Sequence, residues 1–79
     1  MTPAQTKAAR ALLDWSQGDL AAAAGLGLST IVDFERERRV VSADAVRAIK
    51  SAFQAADVEF IDDARGEGVV KLKQQAFDK

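Results

Sequence analysis

The chain has 79 residues, of which 48% are hydrophobic and 29% charged, and it contains neither Cys nor His. These absences exclude disulfide bonds, thiolate zinc sites, a Cys nucleophile and a His general base, so we expect no enzyme, no metal site and no cofactor. The formal net charge of −1 is not that of a strongly basic nucleic-acid binder, although such binding depends on the field at the contacting face.

The first predicted helix begins at Thr2. Residues 2–5 read Thr-Pro-Ala-Gln, which gives a hydroxyl cap, a proline at the first helical position and a glutamine at the third. Apolar residues then recur at spacings of three and four, which predicts that one stripe of this helix faces the core. The residues of this stripe are Ala8, Ala11, Leu12 and Trp15.

Two short helices are predicted next, with a glycine-containing turn between them. Ser16 is an N-cap candidate, and the alanine-rich run that follows favours a helix that ends at Gly25. Beyond the turn, Ile31 and Phe34 mark the inward face of a third helix, which runs to about Arg36.

The fourth predicted helix begins at Ser42, a capping residue that is followed by Asp44 at the positive end of the helix dipole. We expect this helix to stop at Asp57, because Asp tolerates the left-handed geometry of a helix end better than most residues. Its apolar stripe comprises Val46, Ile49, Phe53 and Ala56.

After residue 57 the pattern changes from helical to extended. Residues 58–61 and 69–73 are predicted to form a β-hairpin or a pair of short strands, with the polar residues 62–68 between them. A two-stranded hairpin is marginal in water, so its apolar side chains need the helical core or a second subunit to cover them. The candidate dimer contacts are Val58, Phe60, Val70 and Leu72.

Three residues in the second and third helices have the spacing of a helix-turn-helix motif. Counting from Gln17, Ala21 is fifth, Gly25 is ninth and Ile31 is fifteenth. The fifth place must be small because the third helix crosses over it, the ninth adopts a turn conformation, and the fifteenth locks the two helices together. We interpret these three residues as the core of the motif.

The sequence resembles the Cro/phage-repressor type of helix-turn-helix regulators, also called the xenobiotic-response-element family, and in its tail a short bacterial branch of that family. The resemblance covers residues 7–53 and rests on short segments of the first three helices. They are residues 10–13 (Arg-Ala-Leu-Leu), 16–21 (Ser-Gln-Gly-Asp-Leu-Ala), 24–26 (Ala-Gly-Leu), 29–31 (Ser-Thr-Ile) and 34–36 (Phe-Glu-Arg).

The resemblance implies a role for several residues. Arg10 would pair with Glu35 as a brace between the first and third helices, and Gln17 would contact a DNA phosphate. The third helix would lie in the major groove, with Leu28, Ser29, Val32 and Asp33 facing base edges. Thr30, Arg36, Arg38 and Arg39 would approach the DNA backbone.

The sequence departs from the family pattern at the third helix. Gly27 stands where a capping Ser or Thr is common, and the four base-facing residues include no Arg, Lys, Asn or Gln. Those four residue types make the strong bidentate contacts to guanine and adenine, so we expect modest base-specific affinity from one subunit. Two half-sites would then be needed.

We therefore predict a mainly α fold, a four-helix repressor-like domain with a short C-terminal β-strand pair or hairpin. Residues 1–57 would form the DNA-binding domain and residues 58–79 a β extension of the same domain that serves in dimerisation. No apolar run is long enough to span a bilayer and no signal-peptide pattern is present, so we expect a cytoplasmic protein without membrane contact.

The function expected from these features is that of a dimeric repressor that binds a palindromic operator in double-stranded DNA. The alternative is a protein-interaction module or antiactivator that kept the helix-turn-helix scaffold but lost DNA binding. Near-neutral charge and an apolar reading face, with Leu28 and Val32, suit a protein partner as well as a groove.

Overall fold

The computed structural model describes residues 1–73, which form four helices followed by an antiparallel β-hairpin. This architecture confirms the predicted mainly α fold with a C-terminal strand pair. The elements are α1 (Pro3–Leu13), α2 (Gln17–Ala24), α3 (Leu28–Glu35), α4 (Ala43–Ala55), β1 (Val58–Asp63) and β2 (Gly66–Lys71).

The predicted helix starts are confirmed by their capping hydrogen bonds. Thr2 accepts from the backbone N–H of Gln5 while the Gln5 side chain accepts from the backbone N–H of Thr2, which is a complete capping box. Ser16 and Asp19 form the same reciprocal arrangement at α2. Ser42 caps α4 through its side chain alone. These bonds satisfy backbone donors that have no partner inside a helix.

Each of the four helices is followed by one residue in the left-handed conformation, and only one of these four residues is glycine. The residue that follows the last helical turn has a φ of 56° at Asp14, 67° at Gly25, 55° at Glu37 and 66° at Asp57. Asp57 thus has the left-handed backbone predicted for it. A left-handed residue reverses the chain so that the next N–H groups return to the last carbonyls of the helix, and a side chain there costs energy that glycine avoids.

The core lies between the four helices and the inner face of the hairpin. Leu20, Ile31, Ile49 and Phe53 are fully buried, and Val58 at the start of β1 joins them. The Phe53 ring has Trp15 stacked 5.7 Å away and Phe60 edge-on at 5.9 Å. On α4 the buried stripe is Ala45, Ile49, Ala52 and Phe53, so the predicted stripe is correct in its middle and Val46 and Ala56 lie at its half-buried margin.

The face predicted to be buried on α1 is wrong. Ala8, Ala11 and Leu12 are exposed, and the buried residues are Gln5, Thr6 and Ala9. Two of those three are polar, so a count of apolar residues chose the neighbouring face. Only Trp15, just beyond the helix, is half-buried as predicted.

The hairpin is longer and its turn tighter than predicted. Asp63 pairs with Gly66, so only two residues form the loop, whereas a loop over residues 62–68 was expected. Gly66 has a φ of 138°, which few residues other than glycine adopt, and Asp63 accepts hydrogen bonds from the side chain and backbone of Arg65. The bond from the Arg65 side chain, followed by that from its backbone, lowers the pKa of Asp63.

The two faces of the hairpin have different surroundings. Phe60 lies opposite Val69, and both pack against the core on the inner face. Val70 and Leu72 lie on the other face, where they are 39% and 41% exposed. The core therefore covers the inner face of the hairpin and leaves the outer face partly open to solvent.

A buried glutamine joins the hairpin to α1. The Gln5 side-chain amide donates to the backbone carbonyls of Ile61 and Gly68, both at 2.9 Å, and these two residues face each other across the strands. The Thr2 hydroxyl also donates to Glu67 of β2. The hairpin packs on α1 along β2 and on α4 along β1. No helix within residues 1–73 is both long and apolar enough to cross a membrane.

Candidate nucleic-acid interface

The helices α2 and α3 meet through the residues that the motif spacing predicted. Ala21 is 5% exposed and Ile31 is fully buried, and both belong to the core cluster. Gly25 ends α2 with a φ of 67°, and the N–H groups of Gly25 and Leu26 bond back to α2 carbonyls. A small residue at the crossing and a left-handed glycine at the turn fix the angle at which α3 leaves α2.

A buried ion pair holds the inner side of α3 against α1. The Glu35 carboxylate accepts from the Nε of Arg10 at 2.7 Å, from its Nη2 at 2.8 Å and from the Gln17 side chain at 3.0 Å. A further bond runs from the Nη1 of Arg10 to the carbonyl of Trp15. The Glu35 side chain is only 1% exposed, so these charge-assisted bonds replace its water and tie α1, α2 and α3 into one unit.

The exposed side of α3 carries the residues predicted to face bases. Leu28 is 52% exposed, Ser29 is exposed, and Val32 and Asp33 are half-buried. Gly27 supplies no side-chain cap at the start of this helix. At the start of α3, Leu28 and Ser29 are therefore presented to solvent, with Val32 partly exposed beside them.

A tight turn after α3 presents three arginines. Glu37 takes the left-handed conformation, its N–H bonds to the carbonyl of Phe34, and the N–H of Arg38 bonds to the carbonyl of Asp33. This pair of bonds is the Schellman pattern, which folds the chain back over the last helical turn. Three exposed cationic residues are grouped there, namely Arg36, Arg38 and Arg39.

The turn brings two of the predicted DNA-contacting residues together. The Nε of Arg39 donates to the Asp33 carboxylate at 2.8 Å, with the arginine side chain 52% exposed and the aspartate 23%. Separate roles were predicted for these two residues, at a base edge and at the backbone, and their contact was not predicted. The signal that could have found it is the reversal at the helix end, since a left-handed residue at position 37 returns the chain toward Asp33.

Two of the predicted phosphate contacts lie near the helix starts. Gln17 is the first residue of α2, and its side-chain amide is engaged with Glu35 while its backbone lies at the positive end of the helix. Thr30 is half-buried, and its N–H bonds to the carbonyl of Gly27. A role of either residue at a phosphate remains a prediction.

The candidate dimer contacts divide into two pairs. Val58 is 1% exposed and Phe60 is half-buried, so both are occupied by the core of their own chain. Val70 and Leu72 face solvent on the outer side of the hairpin. A second subunit could therefore be contacted directly by the second pair only.

Comparison with known proteins agrees with this geometry. A family model described as helix-turn-helix matches residues 7–60, which run from the middle of α1 to the middle of β1. No curated protein matches the chain significantly in sequence. The matched region contains the ion pair of Arg10 with Glu35, the α2–α3 crossing and the exposed side of α3. The chain therefore belongs to the Cro/phage-repressor-like helix-turn-helix family of DNA-binding regulators.

Proposed function

We propose that the chain is a sequence-specific repressor that binds a palindromic operator as a homodimer. It acts by binding DNA in the cytoplasm, without catalysis and without a cofactor. The observation that carries this proposal is the position of α3, whose outer side is exposed while its inner side is fixed by the buried pair of Arg10 and Glu35. In this motif the second helix, here α3, enters the major groove of DNA, and for this it must be exposed and rigidly held.

The contacts proposed for α3 follow from its exposed side. Leu28 and Val32 would pack on thymine methyl groups, and Ser29 would bond to a base edge of either kind. Arg36 and Arg38 would neutralise phosphates beside the groove, which gives affinity without reading sequence. Gln17 and Thr30 would contact the backbone near the helix starts.

The dimer is proposed to form through the outer face of the hairpin. Val70 and Leu72 are exposed on this outer face. The hairpin itself is held by α1 and α4. Two copies of α3 would then enter successive major grooves, about 34–36 Å apart. Sedimentation of Val70→Asp together with Leu72→Asp should give a monomer where the unaltered chain gives a dimer, and an unchanged mass would reject this interface.

The direct test of the proposed function is a fluorescence-anisotropy titration. The protein is titrated onto a duplex from upstream of its own gene and onto a scrambled duplex, at about 50 and 200 mM salt. We expect tighter binding to the native duplex, with a steep loss of affinity as salt rises. Equal and weak binding to both duplexes at low salt would reject the proposal.

Two observations favour a second candidate, an antiactivator that binds a protein through the same helix. Leu28 is 52% exposed at the start of α3, and the net charge is near neutral. Leu28→Asp and the pair Arg36→Ala with Arg38→Ala separate the two candidates. Loss of the arginines should weaken DNA binding and lower its salt dependence, whereas a protein partner should respond mainly to Leu28→Asp.

A further inference from the structure

The reading side of α3 lacks a strong base-reading residue of its own. Leu28, Ser29, Val32 and Asp33 include none of the four types that make bidentate contacts to guanine or adenine. The only charged member, Asp33, is paired with Arg39 from the turn that follows the helix. The pairing thus brings a guanidinium group to the helix side where the sequence has none.

The geometry of this pair leaves the bidentate end of Arg39 free. Asp33 engages the Nε at 2.8 Å, and within residues 1–73 the two Nη groups of Arg39 donate to no side chain. The arginine side chain is also 52% exposed. A guanidinium held at Nε by a carboxylate is restricted in orientation, and its two Nη groups keep the spacing that matches a pair of acceptors.

Electrostatics separate Arg39 from its neighbour Arg38. The carboxylate of Asp33 neutralises the charge of Arg39, so this arginine would displace few counterions from a phosphate backbone. Directional hydrogen bonding survives neutralisation, because it depends on the N–H geometry. Arg38 is exposed and forms no side-chain ion pair within the described residues, so its full charge remains available to a phosphate.

We infer that Asp33 and Arg39 act as one specificity-determining pair, in which Asp33 positions Arg39 to read the O6 and N7 of a guanine in the major groove. The inference rests on the proposed DNA-binding function and changes the role first expected of both residues. Asp33 orients an arginine instead of contacting a base edge itself, and Arg39 contacts a base instead of the backbone. The commonest specific base contact, that of arginine with guanine, is thereby supplied from outside α3.

The test is selection of binding sites from a pool of random-sequence duplexes, carried out with the unaltered chain and four variants. With Arg39→Ala we expect loss of the preference for one G·C pair in each half-site, by about 5- to 150-fold, with little change in salt dependence. Arg39→Lys should lose most of that preference, because an ammonium lacks the planar fork. Arg38→Ala is the matched control, and it should weaken all duplexes alike while the salt slope falls by about one.

Asp33→Ala gives the sharpest contrast. It removes the carboxylate that orients Arg39 but frees the arginine charge, so the guanine preference should fall while binding to unrelated duplexes stays equal or rises. The inference is overturned if Arg39→Ala weakens all duplexes equally, as Arg38→Ala does, or if Asp33→Ala keeps the full preference. If the unaltered chain selects no sequence at all, the proposed function itself fails. Thermal unfolding of each variant verifies that this exposed pair can be altered without loss of the fold.

Discussion

Two arginine–carboxylate pairs lie on opposite sides of α3, and their hydrogen bonds are nearly equal in length. Arg10 meets Glu35 at 2.7 Å with the side chains 20% and 1% exposed, whereas Arg39 meets Asp33 at 2.8 Å with 52% and 23% exposed. Burial makes the loss of one partner costly, because the Glu35 carboxylate would be left almost without water if Arg10 were removed. The second pair is exposed and contributes little to stability, so the fold does not depend on it and its hydrogen-bond geometry is available for recognition. The two pairs therefore differ in burial and not in distance.

The largest effect is expected from breaking the buried pair. Arg10→Ala leaves the Glu35 carboxylate in the core with only the Gln17 amide as a hydrogen-bond donor, and the free energy of unfolding should fall by about 3–5 kcal/mol. Urea denaturation followed by circular dichroism measures this loss. A decrease below about 1 kcal/mol would mean that the pair contributes no more than a surface pair does.

A double variant separates the cost of a lone charge from the value of the pair. Arg10→Met combined with Glu35→Leu replaces both members by apolar side chains of similar size, which is often neutral for a buried pair. We expect the double variant to be more stable than Arg10→Ala alone. If the two are equally unstable, the hydrogen bond from Arg10 to the Trp15 carbonyl is the important contact.

A smaller loss is expected at the buried glutamine of α1. Gln5→Ala removes a donor to two carbonyls and the acceptor of the capping box, and should reduce the free energy of unfolding by about 1–2 kcal/mol. Denaturation with urea is again the measurement. Gln54→Ala, at an exposed position on α4, is the control and should change stability very little.

A gain in stability is expected at Glu37, in the turn that follows α3. Glu37 has a φ of 55°, and Glu37→Gly should raise the free energy of unfolding by about 0.5–1 kcal/mol, because glycine adopts this conformation without a steric cost. Glu37→Ala is the control, since it removes the same charge but keeps a side chain. Equal stabilisation by both variants would assign the gain to charge and not to backbone conformation. Thermal unfolding is sensitive enough for this comparison.

The smallest change in stability is expected at the exposed pair. Arg39→Ala should alter the free energy of unfolding by less than about 1 kcal/mol, since exposed ion pairs contribute little. Denaturation of Arg39→Ala beside Arg10→Ala tests the contrast between the two sides of α3. A loss at Arg39 comparable to that at Arg10 would show that the pair holds the turn in place, which contradicts a pair that the fold does not need.

The sequence predicted the features that depend on neighbouring residues. The caps at Thr2, Ser16 and Ser42 and the spacing of the α2–α3 motif are local patterns, and each is found in the structure. The brace between Arg10 and Glu35 came from the family resemblance, and it too is present as an ion pair.

The features that were missed depend on contacts distant along the chain. The buried face of α1 was predicted wrongly because Gln5 is covered by the hairpin, whose strands lie more than fifty residues away. The loop of the hairpin was placed too wide because charged residues at positions 62 and 67 read as loop, although they pair as exposed strand residues. The contact of Asp33 with Arg39 depends on the left-handed conformation of Glu37, which the presence of a glutamate in the sequence does not predict.

The two hydrogen bonds of Gln5 also specify the alignment of β1 with β2. Successive carbonyls along a strand point to opposite edges, so Ile61 and Gly68 can both accept from one amide only while they lie opposite each other. A slip of one residue would turn one of these carbonyls away and move Val69 from the core side to the solvent side. The register of the hairpin is therefore specified twice, by its two-residue loop and by the hydrogen bonds from α1. Transplanting this hairpin onto another helical domain would require an equivalent glutamine on the receiving helix.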